Sequence, residues 1–440
     1  MIYLTLILGK IYYFFAKNKK SDRVGLLLLT LEPNFLEKVK KPKTLIAVTG
    51  TNGKTTTCNM IVDTLEKNNI KVLSNKEGAN VGAGIAKALM KGTTIFNKSK
   101  NNIAVIEFDE ISSKNYLPKL KPNYLIVTNL SQDTMSRNGH VDYVFNKINE
   151  GIPSYTTLIL NGDDLITSNL GFDNKKIYFG IDKNVKTINN VSTLWQDLKI
   201  CPNCYNKLNY EIIRYNHIGS VKCPNCSYTN KNLDYKITDI DYKNNLLYVN
   251  DVKYNILNNS IFNIYNELIC IAISNELKLK NLAAINQIEL PKSRYYSKKI
   301  GDKEIISQFA KGQSPIAVSN ALDYVKNIEG LKDIILILDD QHEKIKHGDS
   351  ENTSWIYAAD FEILKDPSIN KIIIGGERCY DYKVRLLLAS VDENKIITEY
   401  NELDTAKHVS LEANKIIVIH DLYNISLSND VINLVEEVIK

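Results

Sequence analysis

The stretch "VTGTNGKTTT" (48–57) decides how the rest of the chain is read. Its two glycines, Gly50 and Gly53, let the backbone turn its N–H groups inward around phosphate oxygens, with Thr51 and Asn52 between them. Lys54 adds a point charge, and the hydroxyl of Thr55, followed by Thr56, suits a magnesium ion. The spacing is shorter than the common GxxxxGK[ST] loop. Its context is the one a phosphate loop needs, because an apolar run, "KTLIAVTG" (43–50), precedes it and helix-like "KTTTCNMIVDTLEKN" (54–68) follows.

Outward from the loop the same pattern repeats. "NIAVIEFDE" (102–110), "NYLIVTNL" (123–130) and "TTLILNGDD" (156–164) each read as a short buried strand ending in a polar turn. Strands alternating with helices predict an α/β fold with a parallel sheet, whose ligands collect at the carboxyl ends of the strands. Glu107, Asp109 and Glu110 close one such strand, where a carboxylate can reach a metal–phosphate site, since hard cations take oxygen ligands. Past residue 195 the periodicity changes. "YKITDIDYKNNLLYVNDVKYNI" (235–256) reads as antiparallel hairpins and "NIYNELICIAISNELKL" (263–279) as a helix. "DIILILDD" (333–340), "NKIIIGGERCYDYKVRLLLA" (370–389) and "NKIIVIHDL" (414–422) then form a second, smaller α/β region.

Between the two regions lie Cys201, Cys204, Cys223 and Cys226, two CxxC units separated by 18 residues. This is the spacing of a structural zinc ribbon. A closed four-thiolate site has no open position for substrate, so it is expected to staple an insertion rather than do chemistry. His217 inside the segment is not needed as a ligand. Cys58, Cys270 and Cys379 sit in apolar settings and read as small buried hydrophobes.

Composition excludes more than it names. The 440 residues suffice for two or three domains, and 55 Lys+Arg against 50 Asp+Glu leave a net charge of +5, no strong field for nucleic acid. Paired cysteines without a secretory signal point to a reducing cytoplasm. The apolar start, "MIYLTLILGKIYYFFAK" (1–17), is interrupted by Lys10 and falls short of the roughly 20 residues a bilayer span needs; a helix lying on the protein or on the inner face of the membrane is expected.

Taken together, "TGTNGKTTT", "SNKEGANVGAGIAKAL" (74–89) and "NGDD" (161–164) resemble the ATP-binding middle domain of the Mur ligases. The cysteine insertion, "SWIYAADFE" (354–362) and "GGERCYDYKVRL" (375–386) narrow the resemblance to the MurT family, from about residue 40 to 425. That resemblance implies a Mur-ligase middle domain at 43–295 behind an N-terminal lead-in at 1–42, a zinc-ribbon insertion at 196–236 and a smaller Rossmann-like domain at 296–440. It implies ATP and Mg²⁺ as reactants' partners, with structural Zn²⁺. A carboxylate is activated as an acyl phosphate; in this family it is the D-glutamate α-carboxylate of lipid II, amidated with ammonia from a GatD-like glutaminase subunit.

Carried over residue by residue, the phosphate loop is Gly50 to Thr56 and the magnesium ligands are Thr55 and Glu107. Asn161, Asp164, Asn263 and Asn266 would face the nucleotide, and Arg294 would reach phosphate. In "TNLSQDTMSRNGHVD" the family's Asn129, Leu130, Asp133, Arg137 and Gly139 are kept, with His140 in place of a glutamate. Asp349 is the candidate aspartate for orienting the glutaminase's histidine, with Asp360 second; Asn352 and Ala358 stand where the family carries aspartates, and "HDLYN" (420–424) replaces Thr-Tyr-Thr-Ala. Two other readings remain open: a Mur-type peptide ligase adding an amino acid to a murein or pseudomurein precursor, and a zinc-ribbon nucleic-acid-binding ATPase. Against the latter stand the modest charge and the few cations between the knuckles.

Overall fold

The computed structural model describes residues 1–16, 21–75, 80–132, 140–187, 196–288, 295–338, 352–421 and 424–440. Two compact units emerge, one over Met1–Ser131, Val141–Asn190 and Leu198–Leu290, the other carrying Pro291–Lys440.

In the first unit the chain runs α1 (Ile2–Phe15), α2 (Arg23–Leu31), α3 (Phe35–Lys38), β1 (Thr44–Thr49), α4 (Lys54–Lys67), β2 (Val72–Ser74), α5 (Gly82–Lys91), β3 (Ile103–Glu107), α6 (Ser113–Leu120), β4 (Tyr124–Val127), α7 (Val141–Gly151), β5 (Thr157–Asn161), β6 (Lys176–Ile181), β7 (Asn209–Tyr215), β8 (Ile218–Lys222), β9 (Tyr235–Asp241), β10 (Leu246–Val249), β11 (Val252–Asn255) and α8 (Ile261–Glu276). One sheet has the order β11-β10-β9-β6-β5-β4-β1-β3-β2. From β2 to β9 every neighbouring pair is parallel; β9, β10 and β11 are antiparallel. The parallel strands are nearly continuous apolar runs because helices cover them on both faces. Leu45, Ala47, Leu125, Val127, Leu158 and Leu160 form one packed face.

The expected hairpins of 235–256 are present, but they do not stand apart: β9 pairs in parallel with β6, Phe179 opposite Tyr235, so they extend the main sheet. Only β7 and β8 leave it, as a two-stranded hairpin carrying the cysteine segment.

The second unit contains β12 (Tyr295–Ile300), β13 (Lys303–Phe309), α9 (Pro315–Lys326), β14 (Lys332–Ile337), β15 (Ile369–Gly375), α10 (Cys379–Leu388), β16 (Ile396–Glu399), β17 (Lys415–His420) and α11 (Ile425–Ile439). Its sheet runs β12-β13-β17-β14-β15-β16, parallel except for the β12–β13 hairpin. The motifs at 354–362 and 375–386 lock together in its core. Trp355, Ile356 and Phe361 are buried. Arg385 on α10 donates to Ile356 O (3.0 Å) and Ala359 O (2.8 Å) and pairs with Glu362 at 2.8 Å.

Candidate active site and cysteine cluster

The phosphate loop joins β1 to α4 at the carboxyl edge of the sheet, and two positions in it accept only glycine. Gly50 has φ +127° and a Cβ there would lie 2.3 Å from the Thr128 hydroxyl; Gly53 has φ +84° and its Cβ would meet Asn266 Oδ1 at 2.3 Å. Residues at the end of β4 hold the loop from below. Asn52 N–H donates to Asn129 Oδ1 (3.2 Å), Asn129 Nδ2 donates to Asn52 O (3.0 Å), and the Thr128 hydroxyl donates to the same carbonyl (2.6 Å). Thr51 N–H donates to Asn129 O at 2.8 Å, and the Thr51 hydroxyl exchanges hydrogen bonds with Ser131.

Above the loop the charged groups converge. Lys54 Nζ donates to Gly50 O (2.5 Å) and to Glu110 Oε1 (2.5 Å). The exposed Thr55 hydroxyl donates to Glu107 Oε1 at 3.0 Å. Burial pushes the Glu107 carboxyl above its ordinary range, opposed by the Lys54 charge and the Thr55 hydroxyl. A hydroxyl and a carboxylate this close form an oxygen donor set that fits a hard divalent cation. Glu107 is further fixed by Asn75, whose side chain bonds both its N–H (2.9 Å) and its carbonyl (2.7 Å). Neither Asn75 nor the role of Glu110 as ion partner of Lys54 was evident from the sequence, since both depend on which turn faces the loop.

Helix α8 lies against α4 and brings its amides to the same place. The Thr57 hydroxyl donates to Asn266 Oδ1 (3.2 Å), and Asn266 Nδ2 to Asn263 Oδ1 (3.4 Å), one turn earlier. The "NGDD" turn is buried. Asn161 is buried, its Oδ1 accepting from Asp163 N–H at 3.0 Å. Asp164 is withdrawn from solvent, and His217 Nε2 lies 3.0 Å from its Oδ1. It also accepts from the N–H groups of Leu130 (3.0 Å), Ile166 (2.8 Å) and Thr167 (3.0 Å). Burial opposes ionisation of Asp164, yet His217 and these donors hold its carboxyl below the ordinary range. Asp163 goes the other way: desolvation raises it to about 6, despite the Tyr265 hydroxyl at 2.6 Å. Arg294, Asp349, Asp133, Arg137 and Gly139 lie outside the described residues. Asp360 is buried, and Asn352 Oδ1 caps the next turn by accepting from Ser354 N–H at 2.9 Å.

The four cysteines do meet. Their sulfurs lie within 4.8 Å of one another, with Cys201–Cys226 at 3.6 Å and Cys204–Cys223 at 3.4 Å. A tetrahedral thiolate site with metal–sulfur bonds of about 2.3 Å has sulfurs about 3.8 Å apart, so the cluster fits zinc. The first CxxC forms a tight turn, Tyr205 N–H donating to Cys201 O (2.9 Å), and from the second Cys223 N–H donates to Tyr228 O beyond it (2.9 Å). Beside the first, the N–H of Asn206 draws the Cys204 thiol down to about 6. The insertion is bonded to the body at several points besides His217: Gly219 N–H to Asp163 O (3.0 Å), Asn230 Nδ2 to Gly162 O (3.0 Å) and Arg214 to Val185 O (2.7 Å).

With this geometry, the comparisons with known proteins agree. The family model of the Mur ligase middle domain matches residues 48–274, and that of the MurT ligase C-terminal region matches 312–424. Subunit MurT of the glutamine-hydrolyzing lipid II isoglutaminyl synthase of Staphylococcus aureus (strain COL) is 34% identical over 88% of this chain and 87% of its own length. The chain belongs to the MurT family of Mur ligases. The Streptococcus pneumoniae MurT subunit (strain ATCC BAA-255 / R6) is 29% identical over 91% of this chain and 90% of its own. Among solved structures, a pseudomurein peptide ligase type C from Methanothermus fervidus has a TM-score of 0.65 and 21% identity, covering 96% of this chain and 85% of that one. That likeness shows the Mur ligase fold around a MurT-family sequence.

Proposed function

We propose that this chain is the ATP-dependent synthetase subunit of a lipid II isoglutaminyl synthase, amidating the D-glutamate α-carboxylate of a lipid-linked cell-wall precursor. The observation that carries the reading is the convergence of Lys54, Thr55, Glu107 and Glu110 over a glycine loop, in a chain whose MurT relative matches along both units.

In the reaction the substrate carboxylate takes the γ-phosphoryl group of ATP to give an acyl phosphate and ADP. Ammonia then attacks the carbonyl carbon, expelling inorganic phosphate and leaving the amide. The loop N–H groups and Lys54 bind the phosphates, and α8 supplies Asn263 and Asn266 beside them. Thr55 and Glu107 would hold Mg²⁺, which when bound offsets charge on the transferring phosphoryl group. Arg294 is the further cation proposed for that group. Asn161, the last residue of β5, is assigned to the nucleotide's base or ribose. The Cys₄ cluster holds structural zinc. The ammonia comes from a GatD-like glutaminase subunit whose histidine Asp349 orients, and the enzyme works in the cytoplasm at the inner membrane face.

Lys54→Ala removes the ammonium from the loop and should lower ADP formation by about a hundredfold or more; turnover at the wild-type rate would exclude this site. Glutamine-dependent ADP release with the glutaminase subunit present supports amidation. Release that instead requires a free amino acid would identify a peptide ligase.

A further inference from the structure

Helix α1 is arranged the wrong way round for a helix on a water-soluble surface. Its single charged residue, Lys10, turns inward and donates to Met90 O at 2.8 Å. Thr5, Leu6 and Gly9 are buried beside it against α2 and α5. The outward half is apolar: Leu4, Ile7, Leu8, Ile11, Phe14 and Phe15 are all exposed, the two phenylalanines at 75% each. These positions recur at the i, i+3, i+4 spacing of one helical face. The only hydroxyls on that face belong to Tyr3 and Tyr12.

We propose that this face of α1 docks onto an anionic lipid surface. Three observations select that occupant. Fourteen helical residues reach about 21 Å, short of a hydrocarbon core of about 30 Å, so the helix lies on a bilayer rather than crossing it. No helix among the described residues is long and apolar enough to cross a membrane. Cations stand nearby: the acids capping α2, Asp22 and Glu32, are tied to Lys87 (3.0 Å) and Lys38 (2.8 Å), while Lys91 Nζ stands 5.7 Å from the Tyr13 ring and Lys100 adds to burial in disfavouring the charge on Lys10. An apolar ridge with aromatic residues and cations beside it suits the headgroup–acyl boundary of an anionic bilayer. A protein partner would be met by a polar, hydrogen-bonding rim, and this face has almost none.

The evidence for this face is separate from that for the ligase chemistry, and so is the test. Full-length protein is sedimented with phosphatidylcholine vesicles carrying about a third phosphatidylglycerol, without ATP or cell-wall precursor. Wild type should pellet with them, and the double variant Ile7→Glu/Ile11→Glu should lose about tenfold or more in bound fraction. Both positions are exposed, so the variant should keep the wild-type melting temperature and ATP turnover. Wild type remaining in the supernatant would overturn the proposal, as would a variant that pellets equally well. A wild-type dimer that the variant splits, with neither form pelleting, would assign the face to a second copy of the chain instead.

Discussion

Asp164 and His217 meet 3.0 Å apart with neither side chain reaching solvent, a partnership the sequence reading did not anticipate. The loop that carries Gly50, Gly53 and Lys54 was legible because the positive φ of both glycines is a local requirement. Asp164 looked equally polar and equally well placed, but its partner arrives from an insertion far along the chain, which no local pattern records. Removing the ring leaves a buried carboxylate short of its partner, so His217→Ala should lower unfolding free energy by about 3 kcal/mol in urea titrations. A second buried acid makes a pH prediction. Desolvation raises Glu267 to about 8, its Oε2 accepting only the Leu257 N–H at 3.1 Å among the described hydrogen bonds. Because the folded value lies above the unfolded value of about 4.3, unfolding releases a proton between them. The stabilisation is therefore complete below about pH 4 and is lost progressively as pH rises to about 8. The melting temperature of wild type should fall more steeply between pH 5 and pH 8 than that of Glu267→Gln, on the order of several degrees more; parallel curves would refute the assignment.

At the scale of elements, the parallel strands β1, β3, β4 and β5 could be read directly from apolar runs ending in polar turns. The strand pair β9–β10 was legible as a hairpin but not its place in the large sheet, because pairing across an insertion is nonlocal. The marker motifs of the second unit now have a physical reason. Arg385 ties the turn at 354–362 to α10 through two carbonyls and Glu362, with its guanidinium 5.6 Å over the Phe361 ring. Arg385→Leu leaves those carbonyls without a donor and should cost about 2–4 kcal/mol, read as earlier urea unfolding of the second unit. The cysteine hairpin makes a separate prediction. Purified protein should carry a single zinc ion by elemental analysis, and Cys204→Ser/Cys226→Ser should not, because two thiolates cannot close a tetrahedral site.

Across the whole molecule, the α/β class and the ligase chemistry were both visible from the loop outward, since binding a phosphate at a strand's carboxyl end constrains both. The outward face of α1 was not, because an apolar run does not say which side will be covered. One more consequence follows from the place of the cysteine hairpin in the order of the chain. The parallel pair β6–β9 cannot form until everything between Ile181 and Tyr235 has been brought to a close, and the hairpin lies within that interval. A metal that shortens the effective loop lowers the entropic cost of this closure. Zinc supply during synthesis would then set how long the edge of β6 stays open to wrong partners, making metal availability a determinant of yield as well as of stability.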